Sequence, residues 1–367
     1  MGSMPSVVSF LRGYLRGTGA RVLESDTTVD RGGASHPATV YRPARPGRAP
    51  GWVLLHGLTW TGRHHLSLVR FARAIAAAGN VVLVPDIPEW RALHIAPEIT
   101  AATILAAVRV LHDRADVQAD RVGLFGFSFG ATQGLIAAAR PEVQALLHAI
   151  VAWGGYCDVR RLFVYGMVGE HELDGVQYRA KPDPYGQWVM GGNYLAAVPG
   201  HEQDGDVAAA LLALAQESGR RGVYAWDPVY DASKARLRAQ LPPGKHWLFD
   251  LIAPPSDAPS ADVDFVRAKS LDLAEAALRV DPLMDPQPFL PHVGVPVLLA
   301  HARDDRLMPF TETIRLSRAL PPAQLHSCTI TSLFSHSGGT DHSLGPLGLA
   351  RESVRFVRVL NRLLHLL

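Results

Sequence analysis

Val122-Gly123-Leu124-Phe125-Gly126-Phe127-Ser128-Phe129-Gly130-Ala131 joins an apolar run to a helical one through a serine flanked by glycines. Residues 122–125 have the composition of a strand buried on both faces, and 131–139 continue as a helix that ends before Pro141. Between them, Gly126 to Gly130 reads G-x-S-x-G. Such a turn lifts the serine hydroxyl clear of the sheet edge. The glycines two before and two after Ser128 let neighbouring backbone approach where a Cβ would clash. Ser128 also precedes a helix N-terminus, whose partial positive charge favours a developing anion. The pentapeptide alone is a weak signal, equally at home in a Gly-lined structural turn. A β-run before it and a helical run after it supply the context that makes Ser128 the candidate nucleophile.

Outward from this turn the same rhythm repeats. Strands are expected at 22–29, 38–43, 52–56, 81–85, 122–125, 149–153, 295–300 and 325–331. Helical patterns separate the later ones: Leu66, Val69, Phe71, Ala72, Ile75 and Ala76 recur at helical spacing until Gly79, and 99–112, 310–320 and the segment from Ala350 follow suit. Short apolar strands alternating with helices predict an α/β architecture, a mostly parallel eight-stranded sheet flanked by helices. The alternation breaks between 158 and 291, a stretch rich in Tyr, Trp, Gly and Pro with clear helical patterns only at 207–216 and 263–277. It is expected to be a mainly helical cap inserted after the sixth strand. The division is then 1–157 (first part of the core), 158–290 (cap) and 291–367 (second part). No internal repeat or low-complexity tract is present.

Composition excludes several classes of protein. A chain of 367 residues with a formal charge of +2 has no strong electrostatic bias, and its arginines are scattered, so no nucleic-acid partner is expected. Cys157 and Cys328 lack any CxxC spacing and read as free thiols in a reducing compartment, Cys157 as a small packed residue. No HExxH or Cys/His ligand pattern occurs despite His64, His65, His301 and His342, so no metal and no cofactor is expected. No apolar run is long enough to span a membrane. Arg12 and Arg16 interrupt the N-terminal apolar face, which argues against a secretory signal, and Met1-Gly2-Ser3-Met4 reads as an expression scar before a native Met4, a reading that leaves room for a natural leader having been removed. A cytoplasmic location is the expectation. Two amphipathic ends, with apolar faces at Val7, Phe10, Leu11, Tyr14 and Leu15 and at Val354, Val357, Leu360, Leu363, Leu364 and Leu367, are read as packing surfaces rather than membrane contacts.

The rest of the chemistry is assigned by position relative to the strands. His56-Gly57-Leu58 directly follows the third strand, where a loop can present backbone N–H groups to the oxyanion of a tetrahedral intermediate. Leu58 and Phe129, the residue after the nucleophile, are the expected donors. The run His301-Ala302-Arg303-Asp304-Asp305-Arg306-Leu307-Met308-Pro309 follows the seventh strand and offers two adjacent carboxylates. Asp305 is favoured over Asp304 as the acid that orients a catalytic base, with Asp158 a minor alternative. His336, after the last strand, is favoured as that base over His342.

With these pieces in place, the chain resembles the α/β-hydrolase superfamily over 22–152 and 295–367. The likeness rests on His56-Gly57, on Gly126 to Gly130, on the loop from Ala302 to Pro309 and on Phe334-Ser335-His336. The family's acid loop usually reads H-G-x-x-D, and Ala302 departs from it. The order Ser128, Asp305, His336 is that of the family. The resemblance implies a serine hydrolase of carboxylic esters, acting on a small-molecule ester with an apolar acyl group. Other readings stay open: a prolyl or aminopeptidase-like serine peptidase, with Glu170, Glu172 and Asp174 as an anchor for a charged terminus; a thioester or carbon–carbon hydrolase; or a catalytically silent binding protein of the same fold. Trp188, Tyr194, Trp226, Tyr230, Trp247 and Phe249 are either the lining of an acyl pocket or the core of the cap itself.

Overall fold

The computed structural model describes residues 4–17, 21–259, 261–333 and 345–367. In chain order the strands are β1 (Val22–Arg31), β2 (Ala34–Pro43), β3 (Ala49–Leu55), β4 (Val81–Pro85), β5 (Val117–Phe127), β6 (Ala149–Trp153), β7 (Glu170–Leu173), β8 (Val176–Arg179), β9 (Val297–Ala302) and β10 (Leu325–Thr331). Eight of them form one sheet in the order β1-β2-β4-β3-β5-β6-β9-β10, and β7 and β8 form a separate hairpin. The six strands from β4 to β10 in that order run parallel to one another, while β2 is antiparallel to both β1 and β4. All eight expected sheet strands are present.

β3 shows why the central strands read as unbroken apolar runs. Val53 and Leu55 enter one apolar cluster, with Ile104, Leu135 and Leu316, while Trp52 and Leu54 enter another, with Phe10, Phe71 and Leu360. Each face of the pleat is therefore buried beneath helices, so neither set of alternating positions tolerates polarity. Helices Pro97–His112, Phe129–Ala138 and Phe310–Ala319 cover the first face; Met4–Arg16, Leu66–Ala77 and Pro346–Leu364 cover the second. The apolar faces of the two terminal helices are mostly spent in this second cluster, where Phe10 packs edge-on against Phe71 at 5.3 Å between ring centres; Leu15 and Val354 stay exposed. Among the described residues no helix is long and apolar enough to cross a membrane.

After β6 the chain leaves the sheet and returns at β9. The intervening segment folds into helices Val159–Val168, Pro184–Tyr194, Gly205–Arg221, Asp231–Ala239, His246–Ile252 and Val263–Val280, plus the β7–β8 hairpin. The sequence pattern exposes only the third and last of these helices. Two of the others start from local signals that periodicity does not register: Asp158 and Asp183 accept hydrogen bonds from the Arg161 and Tyr185 N–H groups, and Pro184 opens its helix at the position where a missing N–H costs nothing. The hairpin is four residues a side and turns through Asp174 and Gly175, both in the left-handed region.

Candidate active site

The turn between β5 and the helix Phe129–Ala138 holds Ser128 at φ 57° and ψ −126°. A serine in this region stores about 1–3 kcal/mol of backbone strain, which the surroundings must hold in place. They do so from both sides. The Ser128 N–H donates to the Trp153 carbonyl at the end of β6 (2.8 Å), and its own carbonyl accepts from the Ala131 N–H (2.9 Å). A Cβ at Gly126 would lie 2.2 Å from the Gly130 carbonyl oxygen, and one at Gly130 would lie 2.9 Å from the His56 carbonyl oxygen. Glycine is the residue these close approaches admit.

The loop after β3 lies directly against the serine. A Cβ at Gly57 would sit 3.3 Å from Ser128 Cβ and 3.7 Å from Ser128 Oγ. The His56 ring is buried, edge-on to Trp90. Its Nε2 accepts from the Ile87 N–H (3.3 Å), so the proton is on Nδ1, which donates to the Gly57 carbonyl (2.7 Å). Burial keeps this imidazole neutral, lowering its pKa to about 4. Because the Gly57–Leu58 peptide is trans, fixing the Gly57 carbonyl also fixes the opposite direction of the Leu58 N–H. The next peptide is pinned from the cap, where the Tyr185 hydroxyl donates to the Leu58 carbonyl (3.0 Å). Both peptides flanking Leu58 are thus held by side chains.

At the end of β9 the two adjacent aspartates have opposite surroundings. Asp304 is exposed; Asp305 is buried, and its Oδ1 accepts from the Leu307 (2.9 Å) and Met308 (3.1 Å) N–H groups. Beneath them the buried His301 donates from Nε2 to the Met308 carbonyl (3.0 Å) and stands 3.6 Å from Asp305 Oδ2. The Tyr165 hydroxyl, from the cap, donates to the Asp305 carbonyl. The Asp183 N–H donates to the Arg306 carbonyl (2.9 Å), so the start of one cap helix reaches the loop after β9 through Asp183 and the loop after β3 through Tyr185. Asp158 is occupied as a helix cap, also accepting from Gln287 Nε2 (2.9 Å).

His336 and His342 lie outside the described residues. The strand leading towards them is anchored by the buried Glu352, which accepts from Thr331 Oγ1 (3.0 Å) and the Ser332 N–H (2.8 Å). Cys157 is buried beside the Glu312 carboxylate, and its thiol pKa is pushed up to about 12, chiefly by burial. Among the described residues no cluster of three or more His, Cys, Asp or Glu side chains is placed to hold a metal ion.

The six cap aromatics divide. Trp188, Tyr194, Tyr230 and Phe249 are fully buried in one continuous apolar cluster, and Trp247 is half exposed. Trp226 stacks on Tyr224 and carries the Arg306 guanidinium on its face at 4.7 Å, which places it beside the acid loop. Glu170, Glu172 and Asp174 each pair with arginine: Glu170 with Arg179 and Arg267, Glu172 with Arg315, Asp174 with Arg318. His56, His301, Tyr165 and Tyr185 were not singled out as supports by sequence reasoning. The His-Gly pair after β3 signals the first of these, whereas nothing in the local sequence marks the two tyrosines.

No family model matches the chain. A protein of Bradyrhizobium sp. described as "Probable 2-oxo-3-(5-oxofuran-2-ylidene)propanoate lactonase" is 30% identical over 133 residues, 32% of this chain. The chain spans about half (51%) of that curated relative's length. Among solved structures, a brefeldin A esterase, a bacterial homologue of human hormone-sensitive lipase, superposes with a TM-score of 0.51 at 18% identity, over 98% of this chain and 83% of the esterase. An acylaminoacyl peptidase of Pyrococcus horikoshii does so with a TM-score of 0.51 at 11% identity, over 95% of this chain and 42% of the peptidase. Sheet order, strand-to-helix serine turn and these neighbours agree: the chain has the α/β-hydrolase fold.

Proposed function

We propose that this protein is a serine hydrolase that cleaves carboxylic esters through an acyl-enzyme intermediate. The observation that carries the reading is the strained Ser128 backbone at the strand-to-helix turn, with the Gly57–Leu58 loop packed against it. In the proposed reaction His336 removes the Ser128 hydroxyl proton as Oγ attacks the ester carbonyl carbon. Asp305 holds the imidazole in the useful tautomer, which suits a buried carboxylate whose one oxygen is already fixed by two N–H groups. The Leu58 and Phe129 N–H groups stabilise the oxyanion. His336 then returns the proton to the departing alcohol oxygen, and a water, deprotonated by the same ring, releases the acid and regenerates Ser128. Residues 158–290 act as the cap, with Trp226 as a wall beside the acid loop.

An ester is favoured over an amide because the relative at 30% identity bears the name of a lactonase, and a lactone is a cyclic ester. The ion pairing of Glu170, Glu172 and Asp174 with arginines leaves them poorly suited to anchor a charged peptide terminus. The test is hydrolysis of p-nitrophenyl esters from acetate to palmitate, and of simple lactones, by wild type and Ser128→Ala. Wild-type turnover that falls by about 10³-fold or more in the variant is expected. A variant that keeps most of the activity overturns the mechanism, and turnover confined to acyl-amino-acid anilides moves the reading to a peptidase.

A further inference from the structure

The sheet ends at β10, and there the chain concentrates positive charge that the proposed esterase chemistry does not use. A groove of about 380 Å³ is floored by Cys328, Thr329 and Ile330 and walled by Arg303, Arg355, Arg358 and Arg362. Three of these arginines come from the C-terminal helix Pro346–Leu364, at spacings of three and four residues, so they project as one stripe along the strand. Arg303 faces them from the loop after β9. Arg355 is paired with Glu352 (2.5 Å) and reaches the Ile330 carbonyl (3.3 Å). Arg303 lies over the Phe310 ring. Arg358 and Arg362 have no carboxylate partner among the described residues. Four guanidinium groups against one carboxylate leave the groove with an excess of about three positive charges. That concentration is unlike the molecule as a whole, whose formal charge is +2.

We propose that this groove is a binding site for a small anion carrying two linked phosphoryl groups. The guanidinium fork matches phosphoryl oxygens in pairs, and several arginines lining one groove suit a multiply charged anion better than a single carboxylate, which leaves most of them uncompensated. The groove's volume falls in the range of small-ligand sites. It is separate from Ser128: β10 lies three strands from β5, roughly 14 Å at the usual strand spacing. Arg303 is, however, two residues from Asp305, so an occupant would sit against the base of the acid loop.

Calorimetric titration of the full chain with inorganic pyrophosphate tests the site. One binding event per chain is expected, weakening as sodium chloride rises from 50 to 200 mM. The double variant Arg358→Gln/Arg362→Gln weakens it by roughly 10-fold or more, since each lost charge-assisted contact contributes substantially. Arg303→Gln, on a different element, weakens it as well and serves if the double variant melts abnormally. Arg351→Gln removes the same charge from the same helix outside the groove and leaves affinity within about twofold. Absence of binding at millimolar pyrophosphate overturns the proposal. So does equal weakening by Arg351→Gln, which marks a diffuse field rather than a site. Binding seen only with phosphatidylglycerol vesicles overturns it too, assigning the stripe to a membrane surface.

Discussion

Asp304 and Asp305 are neighbours in sequence with the same side chain, and their surroundings separate them. Asp304 is exposed to water. Asp305 is buried, with two N–H groups on one oxygen and a histidine ring 3.6 Å from the other. An oriented carboxylate acts on a catalytic imidazole by fixing its tautomer and stabilising its charge. Asp305→Asn is therefore expected to lower kcat for ester hydrolysis by about 10³-fold or more, and Asp304→Asn by no more than about threefold. Steady-state kinetics on the same p-nitrophenyl ester decide it, and a larger loss at Asp304 reverses the assignment.

Among elements, the decisive relation is between the cap helix Pro184–Tyr194 and the loop after β3. That loop has two supports: His56 from its own strand, and Tyr185 from a segment more than a hundred residues away. Removing the tyrosine hydroxyl leaves the Leu58 carbonyl without this donor and loosens the peptide next to the proposed oxyanion donor. A hydrogen bond of this kind contributes about 1 kcal/mol. Tyr185→Phe is accordingly predicted to lower kcat by about fivefold with KM nearly unchanged, because a donor to the oxyanion acts in the transition state rather than on bound substrate. A change in KM alone indicates that Tyr185 shapes the substrate pocket instead.

Over the whole molecule, buried histidines tie stability to pH. His56 is held neutral down to about pH 4 by burial, whereas an unfolded histidine titrates near 6.5. Between those values the unfolded chain binds a proton that the folded chain refuses. Stability is thus fully present above about pH 6.5 and declines as pH falls towards 4, by on the order of 3 kcal/mol for a fully buried ring. His171, lowered to about 4 mainly by burial but only partly buried, adds a smaller loss of the same sign. Urea unfolding at pH 7.5, 6 and 5 measures the slope, and His56→Gln is expected to flatten it. An unchanged slope in that variant places the acid sensitivity elsewhere.

The sequence by itself determined the sheet and its serine turn, because both rest on local requirements. A strand buried on two faces must be apolar throughout, as β3 is, and a backbone at φ 57° flanked by close approaches must have glycine at Gly126 and Gly130. Most of the cap was not legible, since its short helices carry at most a single capping residue as a local signal and owe their stability to packing in a shared apolar cluster. For the same reason residue type did not distinguish the aromatics of the cap's core from the others: Trp188 lies in the apolar cluster and Trp226 carries Arg306. The tertiary structure alone decided which of two adjacent aspartates is buried, that Tyr185 reaches the Leu58 carbonyl, and that arginines from two separate segments face one another across β10. Each of these joins residues distant in the chain through burial and geometry, which no local pattern encodes.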